Sequence, residues 1–154
     1  MRFKLSQAGP EDLGLLVTHR LGMWRDIHPE LRSKVRESRG ATRGWIKRNL
    51  ASGALVGFIA RTADGKVAGS GCVWIRPEQP RPTSPRQEVP YLMSMFTVKK
   101  YRRKGVARMI VKRALGWCRQ HGYERVVLHA SKKGRPLYVS FGFEPTSEMR
   151  LRLE

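Results

Sequence analysis

At 154 residues, 40% of them hydrophobic and 28% charged, the chain has the size to bury roughly two thirds of its unfolded surface as one domain, residues 1–154. No apolar run is long enough to span a bilayer, and the start Met1-Arg2-Phe3-Lys4-Leu5-Ser6 lacks the apolar stretch of a signal peptide, so no membrane partner is expected and a cytoplasmic location is. Thirty-one Lys and Arg against twelve Asp and Glu give a net charge of +19, a field that attracts anions and contacts nucleic acid non-specifically at low salt, although the arginines are spread along the chain as on a solvated basic surface.

Phe3-Lys4-Leu5-Ser6 alternates apolar and polar residues as a half-buried strand does. Gly9-Pro10-Glu11-Asp12 reads as a helix start, with proline at the first position and acids facing the helix dipole. Leu13, Leu16, Val17, Trp24 and Ile27 carry that helix towards His28-Pro29. The stretch 30–44 is polar and poor in pattern, and Trp45, Ile46 and Leu50 then predict one short helix begun near Thr42. Leu55 to Ala60 and Val67 to Ile75 form a hairpin about Ala63-Asp64-Gly65-Lys66. Four prolines mark Arg76 to Gln87 as a stiff, extended loop of the kind that is often functional or mobile.

Tyr91 to Val98 is strand-like and runs into the basic turn Lys99 to Lys104. A helix follows, with Val106, Met109, Ile110, Ala114, Trp117 and Cys118 on one stripe and His121-Gly122 as its C-terminal stop. Val126 to Ala130 shows little alternation, as expected of a strand covered on both faces. A short helix from Pro136 to Phe141 and a final strand from Met149 to Leu153 complete a β-α-α-β-β-β-α-β-α-β order. The fold class is therefore α/β (α+β): a mixed, mostly antiparallel sheet with one central β-α-β crossover and flanking helices. Cys72 and Cys118 sit in apolar patterns far apart, which fits buried free thiols, and the four histidines (19, 28, 121 and 129) give no zinc-ligand spacing, so no metal is expected.

The chemistry concentrates in Phe96-Thr97-Val98-Lys99-Lys100-Tyr101-Arg102-Arg103-Lys104-Gly105-Val106-Ala107. A strand feeds a basic turn that opens a helix at a glycine, where unpaired N–H groups and the dipole suit a phosphate. Gly105 and Ala107 allow close backbone approach, and Arg102, Arg103, Lys104 and Arg108 add charge. An ordinary strand-to-helix turn with solvated cations is the plainer alternative.

Arg102-x-x-Gly105-x-Ala107 after a strand resembles the Q/R-x-x-G-x-G/A signature of the GNAT superfamily of acetyl-CoA-dependent N-acetyltransferases. The segment Leu137-Tyr138-Val139-Ser140-Phe141-Gly142-Phe143 resembles that family's LYxxxGF segment at a suitable distance. The likeness covers roughly the last 60 residues well, and the first 90 in element order only. It implies a single GNAT-like domain whose co-substrate is acetyl-CoA. The pyrophosphate would rest on Arg103, Lys104, Gly105, Val106, Ala107 and Arg108. Phe96, Thr97 and Val98 would face the pantetheine, with Phe96 and Val98 supplying backbone groups, and Ser131 would add a further cofactor contact. Tyr138 takes the place of a tyrosine that often acts as general acid.

Acyl transfer to an amine of pKa about 10 calls for a proton acceptor, an oxyanion donor and a protonated leaving thiolate. A backbone N–H within Met95 to Val98 is the expected donor, and Tyr138 the expected acid. Glu88, just before the central strand, is a candidate base or a solvated acid, and His129 a weaker candidate. Direct transfer without a covalent enzyme intermediate follows, since neither cysteine is placed as a nucleophile. The scarcity of acids argues against polyamine acceptors and favours an amine that also carries an acidic or aromatic group; a small molecule is expected, with a protein terminus left open. Trp24 and Trp45 either line that pocket or pack in the core. Two other classes remain open: a basic nucleic-acid-binding protein, and a catalytically silent CoA-binding module. A homodimer is also open.

Overall fold

Hydrophobic alternation and tight turns lay down the strands β1 (Phe3–Gln7), β2 (Leu55–Thr62), β3 (Val67–Pro77), β4 (Glu88–Thr97) and β5 (Val127–Leu128). The computed structural model describes residues 2–153 and, among them, joins these five strands into one sheet in chain order. Neighbours pair antiparallel except β4 and β5, which run parallel. Parallel neighbours need a crossover, and α4 (Val106–Gln120) supplies it. A mixed, mostly antiparallel sheet with one β-α-β crossover is what the sequence predicts, but the β4-α4-β5 unit closes one edge of the sheet among the described residues instead of lying at its centre.

Helices cover both faces. α1 (Leu13–Ile27), α2 (Arg32–Glu37) and α3 (Arg39–Ser52) pack on one side, where Leu16, Val17, Leu21, Val35 and Ile46 meet Leu55 and Cys72. α4 lies on the other, its Val106, Ile110, Val111 and Ala114 packed on Val56, Phe58, Ala60 and Val73. α5 (Arg135–Ser140) adds Leu137 and Tyr138 to that second cluster. β2 is buried on both sides because each cluster covers one of its faces. Cys72 and Cys118 are buried free thiols, as expected.

Several expectations change. The polar stretch 30–44 is largely helical: straight-chain Arg, Lys and Glu have good helix propensity, and Val35 alone is buried in α2. Its apolar spacing is too sparse to reveal that from sequence. Trp24 and Ile27 end up 36% and 44% exposed instead of in the core. The proline-rich loop is folded back on itself as an extension of the β3–β4 hairpin, with Glu78 N–H donating to the Gln87 carbonyl and a bridge between Arg81 and Ser84. β5 forms over two residues only, both half-buried, instead of five covered on both faces. The strand expected at Met149–Leu153 does not form: those residues pair with no strand among the described residues, and Met149, Leu151 and Leu153 are exposed. Alternation specifies a strand only where an edge is there to receive it.

Candidate functional site

The site begins with a fault in β4. Ser70 lies opposite Phe96 and Cys72 opposite Met93, so Ser94 and Met95 together face Gly71. Ser94 absorbs the extra residue in a left-handed conformation, φ 57°. A side chain at position 71 would press on Met95 and come within 2.8 Å of Ile110 Cγ2, so the bulge requires Gly71. Across it the strand changes sides: Met93 packs with the α1–α3 cluster and Met95 with the α4 cluster. Phe96 then turns to α1, its ring centroid 4.8 Å from that of His19.

On its other side β4 opens. Pairing with β5 consists of Tyr91 with Val127 and Leu92 with Leu128, and beyond Leu92 no strand meets this edge among the described residues. Val98 donates its N–H to the Ala68 carbonyl and accepts from Tyr101 N–H, so both its backbone groups are engaged within the chain. Phe96, two residues back, faces β3 in the same ladder, and alternation turns the backbone groups of Met95 and Thr97 to the open edge. The resemblance assigned the pantetheine's backbone contacts to Phe96 and Val98, whereas in this ladder it is Met95 and Thr97 whose backbone groups turn to the open edge. Nothing short of the β3–β4 pairing could have revealed that.

The open edge runs into the basic turn. Arg103 (φ 62°) and Gly105 (φ 81°) are both left-handed, which curls the backbone into a concavity of N–H groups. From Arg103 to Arg108 no backbone N–H has a hydrogen-bond partner among the described residues; the first intrahelical bond runs from Met109 to Gly105. These groups, at the N-terminus of a 15-residue helix, fit a pyrophosphate. Arg102 does another job: its Nε donates to the Thr97 carbonyl at 2.9 Å and its Nη2 to Asp26 at 2.6 Å, bracing strand, turn and α1. Arg108 reaches Ser140 Oγ at 3.1 Å and so ties α5 to the start of α4.

Tyr138, on the helix so tied, packs on the same core cluster as Met95 and Val98. Its hydroxyl has no partner among the described residues, and burial raises its pKa, so the phenol keeps its proton at neutral pH. Ser131 is occupied in starting α5: its Oγ accepts from Gly134 N–H at 3.1 Å. Glu88 lies at the far end of β4 from Phe96, roughly 26 Å away at strand rise. There it accepts from the Tyr123 hydroxyl at 2.7 Å, so the structure does not bring Glu88 and Tyr138 together. His129 hydrogen-bonds both Tyr91 and Glu148 on the exposed side of β5. Burial pushes the Cys72 and Cys118 thiols up to about 12 and about 11, which keeps both protonated and poor nucleophiles.

A cavity of about 400 Å³ opens on the α1–α3 side of the bulge. β3 and β4 supply Cys72, Trp74, Met93 and Ser94 to it, and the helices add Arg20 and Trp45 among others. Trp45 and Trp74 meet edge to face with centroids 5.2 Å apart. Trp24 lies outside, stacked on His28. Arg20 Nη1 donates to Ser94 Oγ at 3.3 Å. Sequence reasoning missed Arg20, Trp74 and Ser94. The available signal was a cation on the apolar stripe of α1, where position 20 continues Leu13, Leu16 and Val17. Deeper still, His19 Nδ1 meets Ser70 Oγ at 2.6 Å, and burial pushes its pKa down to about 4.

A family model described as the acetyltransferase (GNAT) family matches residues 21–143. A GCN5-related N-acetyltransferase from Ralstonia eutropha JMP134 superposes with a TM-score of 0.91 at 24% identity, over 99% of this chain and 99% of that one. A predicted acetyltransferase with acetyl-CoA from Clostridium acetobutylicum gives 0.86 at 24% identity, over 99% and 96%. Glucosamine-6-phosphate N-acetyltransferase from Arabidopsis thaliana gives 0.65 at 16% identity, over 99% and 99%.

Proposed function

Because the chain belongs to the GNAT family of acetyltransferases, we propose that it transfers the acetyl group of acetyl-CoA directly to a primary amine of a small molecule. The observation that most supports this is the continuity of the open β4 edge with the concavity of N–H groups from Arg103 to Arg108. Acetyl-CoA would supply an activated thioester, its pyrophosphate held by those N–H groups and its pantetheine lying along Met95 and Thr97.

The chain's own residues then have separable roles. The Met95 N–H, aimed at the open edge, polarises the thioester carbonyl and stabilises the oxyanion as it develops. Tyr138 carries the proton that the leaving thiolate takes up. Two buried, protonated cysteines leave no thiolate to intercept the acetyl group, which favours one-step transfer. Glu88, tied to Tyr123, has no part in this scheme; an amine that arrives neutral needs no dedicated base, and the proton its nitrogen sheds as the amide forms passes through water to restore the Tyr138 phenol.

Calorimetric titration with acetyl-CoA at two salt concentrations, beside a short DNA duplex, tests the reading. Saturable one-site binding that survives the higher salt, with amine-dependent release of CoA, is the expected result. Salt-sensitive DNA binding without CoA binding would mean that the +19 charge serves nucleic acid instead. CoA binding without turnover of any amine would leave a CoA-binding module.

A further inference from the structure

Arg20 is the one charged residue lining the cavity beside the Ser94 bulge, and no acid accompanies it there. In so basic a chain a cation without a carboxylate partner is common at the surface. Arg20 differs in being half-buried, with its guanidinium 5.8 Å from the Trp24 ring centroid and its one hydrogen bond going to Ser94 Oγ. No carboxylate lies within ion-pairing distance of it among the described residues. A guanidinium held in such a place without an anion is costly unless a ligand brings one. Its planar fork matches one carboxylate in bidentate fashion. A phosphate dianion would bring a second charge for which the cavity walls offer no further cation, and a polyamine would meet Arg20 with no acid to offset the repulsion. Around the guanidinium the walls are Trp45, Trp74, Met93 and Leu16, an apolar surface that suits a hydrocarbon or aromatic side chain.

We propose that the acceptor is an amino-acid-like amine, with its carboxylate bound by Arg20 and its apolar or aromatic side chain packed against Trp45 and Trp74. This rests on the acetyltransferase reading above and narrows its substrate class. Ser94 positions the guanidinium from the bulge, so the residue that distorts β4 also fixes how deep the carboxylate sits, next to the edge where Met95 meets the thioester.

The test compares α-amino acids with apolar or aromatic side chains against their carboxamides and against spermidine, reading kcat/KM from CoA release. At least one amino acid should exceed its amide by about 10- to 100-fold, the worth of a charge-assisted hydrogen-bonded pair. Arg20→Met should collapse that ratio, mainly through KM, and Arg20→Lys should restore part of it. Amides or spermidine turned over better than acids, or a ratio unchanged in Arg20→Met, would overturn the proposal. Acetyl-CoA titration of the same samples separates the two levels. Wild-type protein that binds acetyl-CoA but acetylates only cationic amines overturns the acceptor class alone, whereas no acetyl-CoA binding removes the transferase reading with it. Should Arg20→Met fail to fold, the acid-to-amide ratio of the wild type decides the matter.

Discussion

Two side chains turn burial into measurable chemistry. Burial raises the Tyr138 pKa further above its ordinary value, and its hydroxyl has no partner among the described residues, which leaves it available for the acid role proposed above. Tyr138→Phe should retain acetyl-CoA affinity while kcat falls by about 10²-fold or more, the usual worth of a positioned general acid. An unchanged kcat would remove Tyr138 from the mechanism. His19 works through stability. Its folded pKa of about 4 lies below the ordinary 6.5, so between those values the unfolded chain binds a proton that the folded chain refuses. Stability from this group is therefore complete above pH 6.5 and lost as the pH falls towards 4, by up to about 3 kcal/mol. Urea unfolding of wild type and His19→Gln across that range should show the steeper pH dependence in the wild type, and parallel curves would refute the assignment. Tyr138 stood out in the sequence through its segment, but the behaviour of His19 was not legible, because nothing local shows that it lies under Phe96 against Ser70.

Among the elements, legibility followed the strength of the local pattern. α4 and the turn before it could be read from one apolar stripe, a run of cations and a glycine, since all the needed information is contiguous. The bulge could not: Ser94 is no special turn residue, and its left-handed backbone is set by Gly71 on the neighbouring strand. That gap is why the sequence pattern could not tell which backbone groups of β4 turn to the open edge. The failure at Met149–Leu153 ran the other way, a good strand pattern with no partner edge among the described residues. Gly71 offers the sharpest test at this scale. Gly71→Ala should destabilise the protein by about 1–3 kcal/mol through overpacking against Met95 and Ile110, and should weaken acetyl-CoA binding as the bulge shifts. Gly116→Ala, on α4 with no atom within 4 Å of the added methyl, should stabilise it by about 0.5–1 kcal/mol. Thermal or chemical unfolding of both variants checks the pair, and equal effects would mean that the bulge tolerates a side chain.

For the molecule as a whole, the mixed sheet, its crossover and the flanking helices could be anticipated from chain-order patterning, while the cavity beside the bulge could not. Its walls come from α1, α3, β2, β3 and β4, five segments that are dispersed along the sequence. No helix among the described residues is long and apolar enough to cross a membrane. The unpaired edge of β4 has one more consequence. The backbone groups of Met95 on that edge, like the N–H groups of the Arg103–Arg108 turn, are arranged only in the folded chain, so a ligand that engages them works against unfolding by mass action. Acetyl-CoA at a hundred times its dissociation constant should add about 2.7 kcal/mol to stability, read as a concentration-dependent rise in Tm. On the proposed function, the protein's lifetime in the cell would then follow the acetyl-CoA supply: in metabolic scarcity the chain would open more often, and proteolysis would thin it as acetyl-CoA ran low.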